Sequence, residues 1–345
     1  MAKSKGEQVI VASKQNLKKS ISEPSASHAT PTTKHDGRQR RSRAKPSVKS
    51  AAISKPEIVD IPAIRLFQIG DEKTKRADDI EIYKPELELA HGALPMFEAT
   101  RRLLAEQGNV SANLWGLLPF DFENRTGMSA SAFRHAIANS QSSDPDIQWF
   151  YCSANPELEA LYHNPWRSPE VQYPGFIALA RTFLRASRLG DLMLDAMVHS
   201  RLFATGNLIV ARPDRWRHYI SFVEEALEEA RKNLDANTRR QLFEEIPRLG
   251  KLTMLGLIVA RLPGLYLSKY QHDMRHMKVP LPNQEQALNA HLRILRDLKD
   301  RALEQSDQQL ARSWSAYRGL YLAHVYGREW VLKHINSITP ANRLS

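Results

Sequence analysis

The chain has 345 residues, of which 42% are hydrophobic and 25% are charged, values that suit a globular protein and exclude a fibre. Its formal net charge is +11, yet residues 1–56 contain thirteen Lys and Arg against three acids and so carry +10 of it. The remainder is almost neutral. A basic charge that would otherwise indicate nucleic-acid binding by the whole protein therefore indicates it for the N-terminal arm alone.

Cysteine content and hydropathy indicate where the protein works. The single cysteine, Cys152, excludes an intrachain disulfide and a multi-cysteine zinc site, and it favours a reducing compartment. No run of about eighteen apolar residues occurs, and the N-terminus lacks the apolar stretch of a secretory signal. We therefore expect a cytoplasmic protein without a transmembrane segment.

Residues 1–58 are predicted to form a disordered basic arm. Ser, Ala, Thr, Lys and Arg dominate its composition, and no aromatic residue occurs before residue 56, so it cannot bury enough apolar area to offset the entropic cost of ordering. The cations between Arg38 and Lys49 are suited to phosphates on nucleic acid or on an anionic membrane. A solubilising leader is the alternative interpretation.

Beyond the arm, strands alternate with helices. Runs rich in β-branched and aromatic residues predict strands, and apolar residues at helical spacing predict helices. In chain order the predicted elements are a strand at 63–69, a helix at 94–105, a strand at 113–118, a helix at 130–139 capped by Ser129, a strand at 147–152, a helix at 156–162 capped by Asn155, a helix at 176–186, a strand at 206–211 and a helix at 213–232.

From about residue 237 onward the pattern is helical. Helices are predicted at 240–246, 249–269 with a break at Pro263, 284–305 and 308–334. Alternating strands and helices predict an α/β fold with a mostly parallel central sheet and flanking helices, followed by a helical C-terminal third. We divide the chain into an arm at 1–58, an α/β domain at 59–275 and a helical extension at 276–345.

Metal-binding patterns are sparse. His272 and His276 have a spacing that can ligate zinc on one helical face, but a solvated turn is favoured. Asp144 and Asp146 flank a proline just before the strand at 147–152, and such a pair can bind a divalent cation, Mn or Mg, that bridges a diphosphate. Because the pair precedes its strand, a helix-to-strand turn is the favoured interpretation.

Polar and aromatic residues crowd a proline-rich loop at 162–175, which reads YHNPWRSPEVQYPG. Rings that stack and hydrogen-bonding groups held in fixed positions are what a sugar site requires. We expect this loop to bind a ligand. Packing of Trp166 and Asn164 as a lid over the core is the alternative.

Spaced residues between about 64 and 270 form an ordered set of short motifs. The motifs are Arg65 to Ile69 followed by Asp71, Glu72 and Thr74; Trp115 to Leu118 ahead of Phe122, Thr126 and Gly127; Asp146 to Phe150; Asn164, Trp166 and Glu170 with Tyr173-Pro174-Gly175; and Thr205 to Val210 before Trp216. In this order and spacing the set resembles a family of bacterial proteins that are similar to glycosyltransferases and are associated with surface-polysaccharide synthesis.

The resemblance implies a compact fold like that of the single-domain, nucleotide-sugar-dependent (GT-A-like) transferases. Their N-terminal half binds the nucleotide, and later loops bind the acceptor. This chain has Tyr173 where the family has His, and it has Ala260-Arg261 where related transferases have Glu-Arg. It also lacks an Asp-x-Asp motif after a strand, which implies a metal-independent transferase or a member that no longer catalyses.

These observations lead to the hypothesis of a glycosyltransferase-like protein that acts on a nucleotide-sugar and a carbohydrate acceptor. Glu170 would be the base that deprotonates the acceptor. The predicted substrate-binding residues are Asn164, Trp166, Tyr173, Arg201 and Asn207, and the predicted metal ligands are Asp144 and Asp146.

Two other classes of protein stay open. One is a non-catalytic interaction protein whose basic arm docks on nucleic acid or on an anionic membrane. The other is a purely helical regulator.

Overall fold

A computed structural model describes residues 64–70, 80–84, 94–106, 113–206, 208–244, 246 and 252–340. The chain divides into two units, residues 1–57 and residues 58–345. The first unit lies outside the described residues, as does the predicted disordered arm at 1–58.

Six strands of the described residues form one mixed sheet. They are β1 (Ile64–Ile69), β2 (Glu81–Tyr83), β3 (Leu114–Leu118), β4 (Trp149–Tyr151), β5 (Ile209–Ala211) and β6 (His276–Lys278). Their order across the sheet is β2-β1-β3-β5-β4-β6. The pairs β1–β2, β1–β3 and β4–β6 are parallel, whereas β5 is antiparallel to both of its neighbours. Five described strands therefore run in one direction and β5 runs in the other.

Helices make up most of the rest of the described chain. They are α1 (Pro95–Glu106), α2 (Phe122–Thr126), α3 (Ala130–Ser143), α4 (Pro156–Leu161), α5 (Phe176–Ala186), α6 (Pro213–Asn233), α7 (Ala236–Phe243), α8 (Met254–Val259), α9 (Leu262–Tyr270), α10 (Pro282–Ala287), α11 (Ala290–Glu304), α12 (Gln308–Tyr326) and α13 (Arg328–Ile338). The mixed α/β class, the mostly parallel sheet and the helical C-terminal region are confirmed, and a purely helical regulator is excluded.

Alternating side chains of the strands build a core on each face of the sheet. Trp115, Trp149 and Ile209 lie in one core, together with buried residues of α1, α5, α6, α8 and α9. Phe150 and Val210 lie in the other, together with α2 and α3. Buried helices on both faces explain why these strands are continuous apolar runs, as is usual for parallel strands buried on both sides.

Two strands, β2 and β6, were not predicted from the sequence. β2 and β6 have only three residues each, and all six residues are partly exposed, so neither shows an apolar run or a clear alternation. β6 contains His276, which we had expected in a turn, and it lies within the segment predicted to be a helical extension at 276–345. Its parallel pairing with β4 shows that this segment contributes a strand to the central sheet.

Side chains of the C-terminal helices cap the end of α4. The last carbonyl groups of a helix have no partner within the helix. Here Lys299 Nζ donates to the carbonyl oxygen of Glu159, Trp314 Nε1 donates to that of Ala160 at 3.0 Å, and Arg318 Nη1 donates to that of Leu161 at 3.3 Å. Three positions on α11 and α12 thus complete a helix from the middle of the chain. At its other end, Asn155 precedes α4 as predicted, but its side chain makes no capping hydrogen bond.

Buried charges accompany these caps. The Glu159 carboxylate is fully buried and lies 2.6 Å from Lys278 Nζ through each of its oxygens. Burial raises the pKa of Glu159, and Lys278 opposes that shift. Burial also lowers the pKa of Lys299 to about 8 and that of Arg318 to about 10. The cluster ties α4, β6, α11 and α12 together.

None of the helices that the structure describes combines the length and the apolar character that a membrane crossing requires.

The first prediction concerns Gly116, where β3 meets β5. A Cβ atom there would lie 2.4 Å from the carbonyl oxygen of Ile209 and 2.8 Å from Cγ2 of Val210. Gly116→Ala should lower the free energy of unfolding by about 3 kcal/mol, because backbone atoms cannot yield as a flexible side chain can. Urea denaturation measures the change.

Gly319→Ala on α12 is the control, since no atom lies within 4 Å of its Cβ position. This substitution should raise the free energy of unfolding by about 0.5–1 kcal/mol. Equal effects of the two substitutions would contradict the close approach of β3 and β5.

The second prediction concerns His163. Arginine can only donate, so the 3.0 Å bond from Arg318 Nη1 requires an unprotonated His163 Nδ1. Burial, followed by the charges of Arg318, Lys299 and Arg167, lowers the pKa of His163 to about 2. The unfolded chain takes up a proton near pH 6.5 and the folded chain does not, so stability falls as the pH drops through 6.5 towards 2.

Between pH 7 and pH 5.5, the proton on His163 should cost the wild type about 1 kcal/mol of unfolding free energy. His163→Gln should lose correspondingly less stability over that range, whatever its stability at pH 7. His135→Gln, at an exposed position on α3, is the matched control and should keep the pH dependence of the wild type. Parallel curves for wild type and His163→Gln would refute a neutral, buried imidazole.

Candidate functional site

The edge of the sheet at which the parallel strands end is the candidate site. In α/β sheets ligands bind outside the carboxyl ends of the strands, where neighbouring strands send the chain in opposite directions. Here β2, the strand that follows β1 in the chain, lies on one side of β1. β3 lies on the other side, and the strands that follow β3 in the chain lie beyond it, in the order β5, β4 and β6. The reversed strand β5 begins at this edge, so the residues before it join those that follow β3 and β4. We call this edge the carboxyl edge.

An exposed aromatic residue marks the point between β1 and β3. Gln68 Nε2, near the end of β1, donates to the carbonyl oxygens of Pro119 and Phe120 at 3.3 Å each. This fixes the turn that follows β3. The Phe120 side chain is 70% exposed. A large apolar ring held in water by a fixed turn is available to stack on a planar or apolar ligand.

The loop before β5 reaches the same edge. Tyr151, at the end of β4, donates its hydroxyl hydrogen to the carbonyl oxygen of Arg201, whose own side chain is exposed. Gly206 donates its backbone N–H to the carbonyl oxygen of Ala260 at 2.7 Å and has φ +77°, a conformation that favours glycine. Asn207, a predicted substrate-binding residue, lies outside the described residues.

Asn164 and Trp166 hold the loop at 162–175 together. The Asn164 amide donates to the carbonyl oxygens of Leu194 and Ala196 at 3.1 and 2.8 Å, and its Oδ1 accepts from the Trp166 backbone N–H at 3.0 Å. Both side chains are fully buried. In this structure the two residues hold the loop together and pack over the core, which was the alternative interpretation, and their contact with a sugar stays a prediction.

Glu170 caps a helix. Its Oε1 accepts from the Gly175 N–H at 2.9 Å, and its Oε2 accepts from the Ile177 N–H at 2.7 Å, at the start of α5. Each carboxylate oxygen thus satisfies a backbone donor at a helix N-terminus, where negative charge is also favourable. This arrangement fixes the turn at Tyr173 to Gly175. The carboxylate of Glu170 is thus engaged by two backbone amides, whereas the sequence predicts it to be a general base.

Arg261 joins the two loops. It follows Ala260, which binds Gly206, and its own Nε donates to the Pro165 carbonyl oxygen at 2.9 Å. Its Nη1 donates to the carbonyl oxygen of Leu257 at 2.6 Å, and its guanidinium lies 5.3 Å from the centre of the Phe176 ring. The loops at 162–175 and 204–206 therefore meet at the turn between α8 and α9.

Arg261, like Lys299 and Arg318, is a cation without a carboxylate partner in the part of the chain that the structure describes, but it is only partly buried. Burial lowers its pKa to about 10, and half-buried Tyr173 opposes the shift. Burial in turn raises the pKa of Tyr173, which Arg261 opposes. Within the described residues, no ion pair or hydrogen bond joins Arg261 to a carboxylate. Arg167, by contrast, lies 2.5 Å from Asp195.

Asp144 and Asp146 lie at the opposite edge of the sheet. They precede β4, and they pair with Arg275 at 3.0 and 3.3 Å. A divalent cation would have to displace this arginine, and it would lie away from the carboxyl edge. The pair does not fit a metal that serves a ligand there. Throughout the described part of the chain, no three His, Cys, Asp or Glu side chains are grouped in a way that could hold a metal ion.

A groove of about 920 Å³ lies between α1, α6, α7 and α8. Its floor is apolar, and Arg101, Arg231 and Arg240 are among the charged residues at its rim. Leu94 and Phe243, which also line it, adjoin stretches outside the described residues. We therefore base the candidate site on the carboxyl edge, whose residues, apart from Asn207, belong to the described part of the chain.

Gln68, Phe120 and Arg261 were missed as candidate site residues. Phe120 follows Pro119 directly after an apolar run, and this position marks an exposed turn at the end of a strand. Arg261 stood out only as part of Ala260-Arg261, at the place of a Glu-Arg motif, and its neighbours come from loops about 50 and 100 residues earlier in the chain.

Comparison of the chain with models of protein families, with curated proteins and with solved structures found no match.

The third prediction tests the cap formed by Glu170. Glu170→Ala removes both acceptors at the start of α5 and should lower the free energy of unfolding by about 1 kcal/mol. The amide hydrogens of Gly175 and Ile177 should exchange faster, as hydrogen exchange with mass spectrometry of the peptides that contain them would show.

Gln172→Ala, at an exposed position in the same loop, is the control and should change neither quantity. Unaltered exchange at Gly175 and Ile177 in Glu170→Ala would mean that the carboxylate does not cap α5 in solution.

Proposed function

We propose that the protein is a glycosyltransferase-like protein that binds a nucleotide-sugar at the carboxyl edge and takes part in cell-surface polysaccharide synthesis. The observation that carries the proposal is the convergence of three features at one edge: the turn that follows β3 and contacts the end of β1, the start of β5 and the loop at 162–175. The resemblance implies the same division, with the nucleotide bound by the first half of the chain and the acceptor by later loops.

Phe120 is the proposed contact for the nucleobase. Its ring is exposed, the bonds from Gln68 fix its backbone, and it stands where ligands bind in sheets of this kind. Stacking of a base on an aromatic ring contributes about 1–3 kcal/mol. Because β3 and β5 are neighbours, about 4.8 Å apart, a nucleotide that starts at Phe120 reaches the loop before β5 with its phosphates.

The reaction proposed for this site is displacement at an anomeric carbon. The acceptor hydroxyl oxygen forms a bond to that carbon, and the bond to the diphosphate oxygen breaks with its electron pair leaving on the diphosphate. The hydroxyl proton passes to a base. In this scheme Glu170 positions the turn at Tyr173 to Gly175 next to the sugar, and exposed Arg201 is available to an anionic group.

The alternative function is a non-catalytic interaction protein that docks through its basic arm. It is favoured by the charge distribution, since residues 1–56 carry +10 of the chain's +11. The commitment of Glu170 to two backbone amides also favours it. Such a protein would bind anionic vesicles or nucleic acid through electrostatic contacts that weaken steeply with salt.

The fourth prediction tests the nucleotide site. Isothermal titration of the full chain with UDP, GDP, CMP and their sugar conjugates should identify one nucleotide that binds. Phe120→Ala should weaken that binding by about 5- to 100-fold, which corresponds to the loss of one stacking contact. Phe243→Ala, an exposed phenylalanine on α7, is the matched control and should bind like the wild type.

Failure of all these nucleotides to bind would sink the proposal, as would equal binding by wild type and Phe120→Ala. Deletion of residues 1–56 separates the two functions. A transferase without its arm should keep the nucleotide affinity of the full chain, whereas a docking protein should lose its binding to vesicles or RNA.

A further inference from the structure

Arg261 is a partly exposed cation that no carboxylate of the described residues neutralises. Its Nε and Nη1 are held by the carbonyl oxygens of Pro165 and Leu257, and one side of the guanidinium lies near the Phe176 ring. These contacts fix the orientation of the planar group. In the described residues Nη2 has no hydrogen-bond partner, although the side chain retains some accessible surface.

Burial of a charge without a counter-charge is costly. Several cations of the described residues avoid this cost by pairing with an acid, whereas Lys299 and Arg318, at most 1% exposed, donate to carbonyl oxygens in the interior. Arg167 and Arg181 share Asp195, and Lys278 pairs with Glu159. Arg261 differs from both groups: it is partly exposed, and among the described residues its partners are neutral, namely backbone carbonyl groups, a phenyl ring and the phenol of Tyr173. Glu170, the acid of the loop at 162–175, is occupied by two amides of α5.

We propose that Arg261 is the anion-binding residue of the carboxyl edge and that its ligand is a diphosphate. Nη2 donates to a phosphate oxygen, while Pro165 and Leu257 hold the guanidinium in place. A planar, permanently charged donor suits phosphate geometry better than a flexible ammonium does. Where the proposed function holds, this diphosphate is the one that links the nucleoside to the sugar, so the inference deepens that function and rests on it.

The location agrees with this role. Arg261 is adjacent in sequence to Ala260, whose carbonyl oxygen binds Gly206 just before β5. β5 pairs directly with β3, and Phe120 follows β3. An anion bound at Arg261 would therefore lie one strand away from Phe120, the proposed contact for the nucleobase. The leaving group of the displacement would carry its negative charge towards this guanidinium, where charge stabilisation accelerates the reaction.

The fifth prediction uses inorganic pyrophosphate as the probe, with inorganic phosphate as a weaker second probe. Titration of the full chain should show binding of pyrophosphate that weakens about 10- to 100-fold in Arg261→Gln. Arg261→Lys should lose part of that affinity, since it keeps the charge but not the fork. Arg215→Gln is the matched control. It removes a half-buried arginine from the opposite edge, where it binds Gln148, and should bind like the wild type.

A measurement on the wild type covers the case in which Arg261→Gln does not fold. Pyrophosphate should slow hydrogen exchange in the peptides that cover 162–176 and 254–262. The proposal is overturned if the folded Arg261→Gln variant binds pyrophosphate as the wild type does, or if exchange in those two segments does not respond.

The two proposals fail separately. Phe120→Ala should leave the affinity for pyrophosphate unchanged, because the probe has no base to stack. Binding of pyrophosphate through Arg261 without binding of any nucleotide leaves the anion site intact and removes the nucleotide function. Nucleotide binding that depends on Phe120 but not on Arg261 supports the nucleotide function and overturns the anion site at Arg261.

Discussion

The reversed strand β5 holds the sheet together. It is the only described strand that pairs with both β3 and β4, and it therefore joins the part made by β2, β1 and β3 to the part made by β4 and β6. Gly116 permits the pairing, because no side chain separates β3 from the backbone of β5. The reversal also has a consequence for chemistry. The chain enters β5 at the edge where its neighbours end, so that Gly206 stands among the residues that follow β3 and β4.

Much of the fold could be predicted from local patterns, because burial on both faces of the sheet leaves a strong signal. The apolar run before Pro119 and the run ending at Cys152 both contain strands, and Ser129 accepts the predicted bond from the Ala132 N–H at 3.1 Å. The short strands β2 and β6 could not be predicted. They owe their existence to pairing with distant neighbours, and partly exposed three-residue segments carry no periodicity.

The site was harder to predict than the fold, and its residues show why. Composition identified the loop at 162–175 correctly as a dense group of polar and aromatic side chains, yet it did not tell which of them point inward. Asn164 and Trp166 lie in the interior, and Glu170 is used by the backbone. Among the described residues Arg261 has no carboxylate partner, and this can be seen only once the surrounding loops are in place.

The residues that cap α4 are synthesised long after the helix itself. A helix that begins at residue 156 is completed by donors at residues 299, 314 and 318, so about 140 to 160 residues must be translated before its last carbonyl groups find partners. Until then the carbonyl groups at the end of α4 lack these donors. The carboxylate of Glu159 likewise has no partner until Lys278 has been translated. A chain that ends before these helices would leave the last carbonyl groups of α4 without their donors, and quality-control proteases act on incompletely folded chains.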